Sequence, residues 1–180
     1  MYRYLIDASA IVTLFANNPR EAMAKKAMGK LLKLKQRGEA LLFIPNFCMA
    51  ESSKAFARLA FGTKRDFNEA CTFYDKLVDS LLEIVSKDRK GMVRSIALNR
   101  KHLVNVENIF KCEQNSMLRG HKHLSGLDAL IITMGRAMNR GHREDSVYVV
   151  TNDQSLAYVC NRNQPEFPKA LYILKDPIPG

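Results

Sequence analysis

Apolar residues in this chain follow two patterns: short continuous runs, and longer stretches in which they recur every three or four positions. The runs at Tyr2–Ile6, Leu41–Pro45 and Ser146–Val150 are rich in β-branched and aromatic residues and predict strands. Leu171–Leu174 predicts a last strand, and Glu83–Ser86 fits either a short strand or a helix end. Short apolar strands that alternate with helical stretches predict an α/β domain with a mostly parallel central sheet.

The longer stretches predict amphipathic helices. Residues 18–37 form one such pattern, which begins at an Asn-Pro pair typical of a helix start and is ended by Gly38. The other predicted helices span residues 46–62, 66–81 and 129–138, with a short one that ends near residue 161. On this pattern Ser9 is expected to cap the helix after the first strand.

The stretch 88–123 predicts an extended basic helical insertion, because its apolar stripe is weak and its basic residues are many. Those residues are Arg89, Lys90, Arg94, Arg100 and Lys101, with Lys87 just before them. The insertion fits an arm that grips RNA or pairs protomers, and it fits a solvated helical face equally well. No repeat or linker interrupts the chain, so a single domain over residues 1–180 is predicted.

Composition changes this picture mainly through charge. A chain of 180 residues that is 47% hydrophobic can bury one sizeable core. Its net charge of +10 favours an anionic partner, with nucleic acid the leading candidate. No apolar run is long enough to span a membrane, and an acid interrupts the place of a signal peptide's apolar stretch, so a cytoplasmic location is expected.

The cysteines and histidines are not predicted to bind metal. The four cysteines, at positions 48, 71, 112 and 160, form no C-x-x-C pair and are expected to be reduced, mostly buried thiols. The histidines, at positions 102, 121, 123 and 142, are expected to be structural or exposed.

Four acids lie at the ends of strongly apolar elements. Asp7 directly follows the first strand, and Asp153 follows the strand at 146–150 by three residues. Asp128 lies in the first turn of a helix, and Glu51 about one turn into another. Residues just past the carboxyl ends of parallel strands line the ligand crevice, so these carboxylates are expected to converge there.

Each acid also has a simpler structural interpretation. Asp7 and Asp153 could cap the helices that follow them, and Glu51 could be a solvated helical acid. Asp128 has the spacing of a capping box with Ser125. If the four do converge, their repulsion favours a divalent cation, and oxygen ligands suit Mg²⁺ or Mn²⁺. Such a site fits phosphodiester hydrolysis, which also agrees with the positive net charge.

Taken together, four segments resemble the PIN-domain family. They are LIDAS at the first strand, AES in the helix after the second strand, LSGLDALII and VVTNDQSL. The last two are the most specific, and the resemblance extends from residue 4 to about 174. It implies a three-layer α/β/α sandwich and a Mg²⁺- or Mn²⁺-dependent endoribonuclease, as in VapC-type toxins and RNA-processing nucleases.

The resemblance also assigns site residues. It implies that Asp7, Glu51, Asp128 and Asp153 are the catalytic, metal-binding acids. Supporting positions would be Ser9, Thr151, Asn152 and Ser125. Basic residues expected to hold RNA phosphates are Lys26, Lys30, Lys33 and Arg37 on the first long helix, with Lys90 and Arg94 in the insertion. An antitoxin-like protein and a second copy of the chain remain open as partners.

Two other classes of function remain open. A PIN-like fold can hold RNA or a protein without cutting it, although the presence of all four acids argues against this. Phosphotransfer on Asp7 is the third class, but the phosphatase signature requires a second Asp where this chain has Ser9. The longer 88–123 segment also departs from compact toxin-type members, which puts the toxin assignment in doubt more than the nuclease assignment.

Overall fold

The computed structural model describes residues 1–16, 19–62, 64–86, 91–116, 123–139 and 147–179. A six-stranded sheet forms the centre of the molecule, and every pair of neighbouring strands is parallel. The strands are β1 (Tyr2–Ile6), β2 (Ala40–Pro45), β3 (Val85–Ser86), β4 (Val93–Ile96), β5 (Val147–Thr151) and β6 (Lys169–Tyr172). Their order across the sheet is β3-β4-β2-β1-β5-β6.

Helices connect these strands and cover both faces of the sheet. They are α1 (Ala8–Val12), α2 (Ala22–Gln36), α3 (Asn46–Phe61), α4 (Phe67–Ile84), α5 (Arg100–Val104), α6 (Val106–Ser116), α7 (Gly126–Asn139) and α8 (Gln154–Arg162). A 3₁₀ turn at Pro19–Glu21 precedes α2, so this helix starts later than the sequence predicts.

The strand order explains the three layers. From β1 the chain moves to β2 and then to β3 and β4 on one side, and it later crosses to β5 and β6 on the other side. Right-handed crossovers in opposite directions place their helices on opposite faces of a parallel sheet. The result is an α/β/α sandwich, which confirms the predicted fold class. The direction changes next to β1, so the crevice between the carboxyl ends of β1 and β5 is the expected ligand position.

The centre of the core is β1, in agreement with the predicted strand. Tyr4, Leu5 and Ile6 are fully buried, as expected for a parallel strand covered on both faces. Val149 and Val150 on β5 are equally buried beside it. The two strands pair in register over Leu5 and Val149, so their carboxyl ends lie side by side.

The prediction that residues 88–123 form a helical insertion is wrong for residues 93–96. Val93–Ile96 is strand β4, which pairs with both β2 and β3 inside the sheet. Val93 is fully buried there, whereas Arg94 is exposed, so this short strand offers little apolar signal in the sequence. The helices that follow, α5 and α6, pack on α7 rather than forming an arm. Residues 87–90 and 117–122 of this segment lie outside the described residues.

Several local predictions are also corrected. The pattern also favours Asn46 as the cap of the helix at 46–62, but Asn46 is the first residue of α3, and its side-chain oxygen accepts a hydrogen bond from the Leu98 N–H (3.4 Å). The last strand ends at Tyr172 because its partner β5 ends at Thr151. The prediction that Asp66 opens a helix is confirmed, since its carboxylate accepts the Glu69 N–H. None of the described helices is long and apolar enough to cross a membrane.

After β6 the chain turns back over the sheet as residues 173–179, called here the C-terminal strap. The Tyr4 hydroxyl donates to the carbonyl oxygen of Pro179 at 2.9 Å. The Lys30 ammonium of α2 donates to the carbonyl oxygen of Ile178 at 2.7 Å. Ile173 and Ile178 are buried. The strap therefore contacts both β1 and α2. Pro179 is 175 positions from Tyr4, and Ile178 is 148 positions from Lys30.

Candidate metal centre

Asp7 lies at the predicted crevice. Its backbone N–H continues the β1–β5 ladder by donating to the Val150 carbonyl oxygen (2.9 Å), and its side chain is only 5% exposed. Helix α1 begins after Asp7 without a side-chain capping hydrogen bond from it. Capping therefore does not account for a buried carboxylate at this position, where an unpartnered charge would be costly.

Two hydroxyl groups hold one oxygen of the Asp7 carboxylate. Ser9 donates to Asp7 Oδ2, and Thr151 donates to the same oxygen at 2.9 Å. Ser9 Oγ in turn accepts the Asn152 N–H, and Thr151 Oγ1 accepts the Asp153 N–H, each at 2.9 Å. Each hydroxyl has one proton to donate, and both protons go to Asp7. The expectation that Ser9 caps α1 is wrong, because Ser9 instead ties Asp7 to the loop after β5.

Glu51 and Cys48 face Asp7 from α3. They are three residues apart on that helix and so share one face. One potential ligand atom from each of Asp7, Cys48 and Glu51 lies within 4.8 Å of the other two. Cys48 is fully buried, and the sequence interpretation did not assign it to the site. Its spacing from Glu51 was the only available signal, and buried cysteines are too common for that spacing to be informative.

Asp128 lies in the first turn of α7, and metal binding by it stays a prediction. Its carboxylate accepts the Ser125 N–H at 2.7 Å, and its own N–H donates to the Ser125 hydroxyl at 3.2 Å, so the predicted capping box is formed. Asp128 also acts electrostatically on the other acids, because its charge contributes to raising the pKa of Asp7 and of Glu51. Ser125 therefore orients the start of the helix that carries Asp128 towards the site.

The pKa shifts reflect burial and mutual repulsion. Burial is the largest cause that raises the pKa of Asp7, the hydrogen bonds from Ser9 and Thr151 oppose it, and Asp128 adds to it. Burial also raises the pKa of Glu51, followed by the charges of Asp7 and Asp128, while Lys54 opposes the shift. The charge of Asp128 thus disfavours ionisation of Asp7, and the charges of Asp7 and Asp128 disfavour ionisation of Glu51.

Asp153 occupies a different position in this arrangement. Its Oδ1 accepts the N–H groups of Ser155 (2.7 Å) and Leu156 (3.2 Å), which makes it the N-cap of α8. Its backbone reaches the site through the hydrogen bond to Thr151. Its carboxylate does not contribute to the raised pKa of Asp7 or Glu51 among the causes found for either group. The geometry supports the capping interpretation, and metal binding by Asp153 stays a prediction.

Hard divalent cations are bound by oxygen ligands at short, defined distances. Mg²⁺ binds oxygen at 2.0–2.1 Å, so ligands on opposite sides of the ion are about 4.2 Å apart. One carboxylate oxygen of Asp7 lies within 4.8 Å of one of Glu51, which is compatible with two ligands of one ion. Burial, followed by the charge of Asp7, raises the pKa of the Cys48 thiol. Asp7 and Glu51 thus offer carboxylate oxygens to a cation, and Cys48 adds a sulfur atom beside them. The structure supports an acidic cluster able to bind a cation and leaves the identity of the ion open.

Asn152 adds one unusual feature at the edge of the site. Its side-chain oxygen is buried and has no hydrogen-bond partner among the described residues. Buried polar atoms are rarely left in this state. The Asn152 backbone is fixed on Ser9, so the side chain is held beside the Asp7 network, in agreement with its predicted supporting position.

Basic residues surround the site unevenly. Lys54 and Arg58 are exposed and follow Glu51 along α3 at positions i+3 and i+7, which places them on one helix face. Neither was assigned to RNA from the sequence. Among the predicted contacts, Lys26 and Lys33 are exposed on α2, whereas Lys30 is bound to the C-terminal strap.

The remaining predicted contacts lie elsewhere. Arg37 follows the end of α2, near the edge where β2 begins, which is opposite the edge where β1 ends at Asp7. Arg94 is exposed on β4, and Lys90 lies outside the described residues. His102 is buried and accepts the Asn99 N–H in a capping box, as expected for a structural histidine. None of the four cysteines forms a disulfide; Cys48 and Cys160 are buried, whereas Cys71 and Cys112 are half-buried.

Comparison with known proteins adds little to this geometry. The chain is similar to the crystal structure of PAE2754 from Pyrobaculum aerophilum, with 17% sequence identity and a TM-score of 0.43. The match covers 88% of this chain and 84% of that one. A likeness this weak carries no argument about function. No family model and no curated protein matches the chain.

Proposed function

We propose that this protein is a PIN-like, metal-dependent endoribonuclease that hydrolyses RNA phosphodiester bonds. The observation that carries the proposal is the buried Asp7 carboxylate at the β1–β5 crevice, fixed by two hydroxyls and facing Glu51. A divalent cation there would relieve the repulsion that raises the pKa of Asp7 and Glu51. It would supply Lewis-acid activation of a phosphoryl oxygen and of a bound water.

The residues around this position have distinct roles in the proposed reaction. Ser9 and Thr151 restrict rotation of the Asp7 carboxylate, so that it is already oriented before any ligand arrives. Glu51 is half-buried with a raised pKa, which suits a group that orients the attacking water and accepts its proton. Asp128 completes the negative potential of the crevice. Asp153 holds the start of α8 and, through Thr151, the loop beside Asp7.

The substrate class follows from charge. The chain carries +10 at neutral pH, and Lys54 and Arg58 extend from Glu51 along α3. Side chains spaced at i+3 and i+7 lie about 4.5 and 10.5 Å along a helix axis from Glu51, which can follow a flexible phosphate backbone away from the site. We propose single-stranded or loop RNA as the substrate and the cytoplasm as the place of action. A toxin that an antitoxin controls, and a homodimer, remain part of this proposal.

Cleavage of a labelled single-stranded RNA tests the proposal. Wild type should cut with Mg²⁺ or Mn²⁺ and stop with EDTA. Asp7→Asn should lose about 100-fold or more in rate, the scale of one lost electrostatic contact in a transition state. Asp79→Asn changes an exposed acid of α4 and should keep wild-type activity. Cleavage that ignores EDTA would contradict the metal mechanism. RNA that is bound by wild type but never cut would identify a binding module instead.

A further inference from the structure

A second surface of the molecule is mostly apolar and bordered by lysines, unlike the acidic metal centre. Helix α2 and the C-terminal strap enclose a groove of about 780 Å³. Most of its lining is apolar, from Met23 and Ala27 on the helix and from Ile173, Leu174 and Pro177 on the strap. Met23 is 64% exposed and contributes its apolar side chain to this lining.

Positive charge borders this apolar lining. Lys26, Lys30, Lys33 and Lys175 line the groove, against Asp176 as the single acid among the described residues around it. Asp176 is already engaged, because its carboxylate accepts the Tyr172 N–H at 2.8 Å. Lys30 is engaged with the strap, so Lys26, Lys33 and Lys175 are the cations available to a ligand.

Helix α2 also contributes a glycine, Gly29, to the groove. A glycine inside a helix costs about 1 kcal/mol relative to alanine, so its presence calls for a reason. No heavy atom lies within 4 Å of the position that a Cβ at Gly29 would occupy, so packing within the chain does not require glycine. Gly29 lines the groove, and the missing side chain allows a partner to approach the α2 backbone closely.

We propose that this groove binds an acidic amphipathic helix of a protein partner. The α2 side of the groove runs from Met23 to Lys33, about 15 Å of helix, which matches roughly three turns of a docked helix. The partner's apolar stripe would face Met23, Ala27 and Leu174, and its acids would meet Lys26, Lys33 and Lys175. RNA is the weaker match, because none of the described residues that line the groove is aromatic and single-stranded RNA is usually held by base stacking on aromatic rings.

The groove is independent of the proposed nuclease activity, and its test is independent too. The probe is a labelled 14-residue helical peptide with glutamates on one face and leucines on the other. A peptide of the same composition in scrambled order controls for charge alone. Wild type should bind the amphipathic peptide at least tenfold more tightly than the scrambled one, and binding should weaken with salt.

Two kinds of variant test the location. Gly29→Leu should fill the groove, and Lys26→Glu with Lys33→Glu should remove its charge; each should lower peptide affinity at least tenfold. The matched control is Lys76→Glu with Arg162→Glu, which changes the same net charge at exposed positions outside the groove. It should keep wild-type affinity. Circular dichroism checks that each variant is folded, and the lysine variant remains informative if Gly29→Leu fails to fold.

Four outcomes would overturn the proposal. Equal binding of the two peptides, or equal loss in the control variant, would reduce the effect to non-specific charge. An unstructured RNA oligonucleotide that binds wild type, loses affinity in Gly29→Leu and displaces the peptide would make the groove an RNA site. Sedimentation of wild type as a dimer that Lys26→Glu with Lys33→Glu dissolves would show that the groove binds a second copy, whose acidic helix α4 would be the occupant.

Discussion

The β1–β5 crevice is a buried, hydrogen-bonded polar site, whereas the α2–strap groove is an open, mostly apolar surface. In the crevice, the buried Asp7 is held by Ser9 and Thr151, and their hydroxyls are in turn fixed by backbone N–H groups. In the groove, exposed lysines border an apolar surface that no described residue fills. A site with satisfied polar groups is preorganised for a small ion, whereas an open apolar groove requires a partner with its own folded surface.

Thr151→Val is expected to show the largest effect on stability, and it tests the preorganisation of the crevice. Asp7 would lose one hydroxyl donor, and the Asp153 N–H would lose its acceptor. The free energy of unfolding should fall by about 2–3 kcal/mol, since hydrogen bonds to charged groups contribute about 1.5–3 kcal/mol. Urea unfolding with EDTA present measures this change.

Thr133→Val is the matched control. Thr133 is also a buried threonine, but its hydroxyl donates to the Leu130 carbonyl oxygen within its own helix. Its loss should cost about 1 kcal/mol or less, because that carbonyl keeps its role in the helix. Equal losses in the two variants would mean that the Asp7 network contributes no more than an ordinary hydroxyl.

The pH dependence of the free energy of unfolding should report on the two crevice acids, because their pKa values are raised. Asp7 and Glu51 have ordinary pKa values of 3.8 and 4.5, which the folded protein raises. Between those values and the raised ones, the folded state holds more protons than the unfolded state. The free energy of unfolding contributed by these groups should therefore fall as pH increases from about 4 through the raised pKa.

In metal-free protein, Glu51→Gln should reduce the decrease in the free energy of unfolding with pH, because one of the two groups with a raised pKa no longer ionises. Glu83→Gln, which changes an exposed acid of α4, should leave it unchanged. Chemical unfolding from pH 4 to 8 in EDTA gives the comparison. If Glu51→Gln and wild type lose the same stability over this range, Glu51 does not interact with Asp7.

The smallest expected effect concerns the groove. Gly29→Ala should raise the free energy of unfolding by about 0.5–1 kcal/mol, because alanine favours the helix and its Cβ meets no atom within 4 Å. Thermal or urea unfolding measures the change. A destabilised Gly29→Ala would show that the chain itself requires this glycine, and the argument from Gly29 to a docked partner would fail.

The two regions also differ in how far the sequence predicted them. The ends of β1 and β5, the capping box at Ser125 and the positions of Asp7 and Glu51 follow from local patterns, since each depends on neighbours a few residues away. The role of Ser9 does not, because its hydroxyl is placed against Thr151, 142 positions later. Local reasoning therefore assigned Ser9 to a helix cap.

Long-range contacts also account for the other differences. Strand β4 was hidden because Arg94 and Ser95 interrupt its apolar pattern, and its identity depends on pairing with β2 and β3. The groove depends on the contact between Lys30 and Ile178, which are 148 positions apart. Lys26, Lys30 and Lys33 are exposed on α2, as their spacing predicts. The apolar lining that the strap adds beside them depends on contacts that are distant in the sequence, so no local pattern predicts it.

Binding of Mn²⁺ is the most direct test of the central claim that Asp7 and Glu51 form a divalent-cation centre. The loss of the free-ion signal in electron paramagnetic resonance should give a saturable site in wild type, one that Mg²⁺ competes for. Asp7→Asn and Glu51→Gln should each weaken Mn²⁺ binding roughly 10- to 100-fold, the scale of a disturbed metal site. Asp79→Asn should bind as wild type does. Unchanged Mn²⁺ affinity in Asp7→Asn would contradict the account.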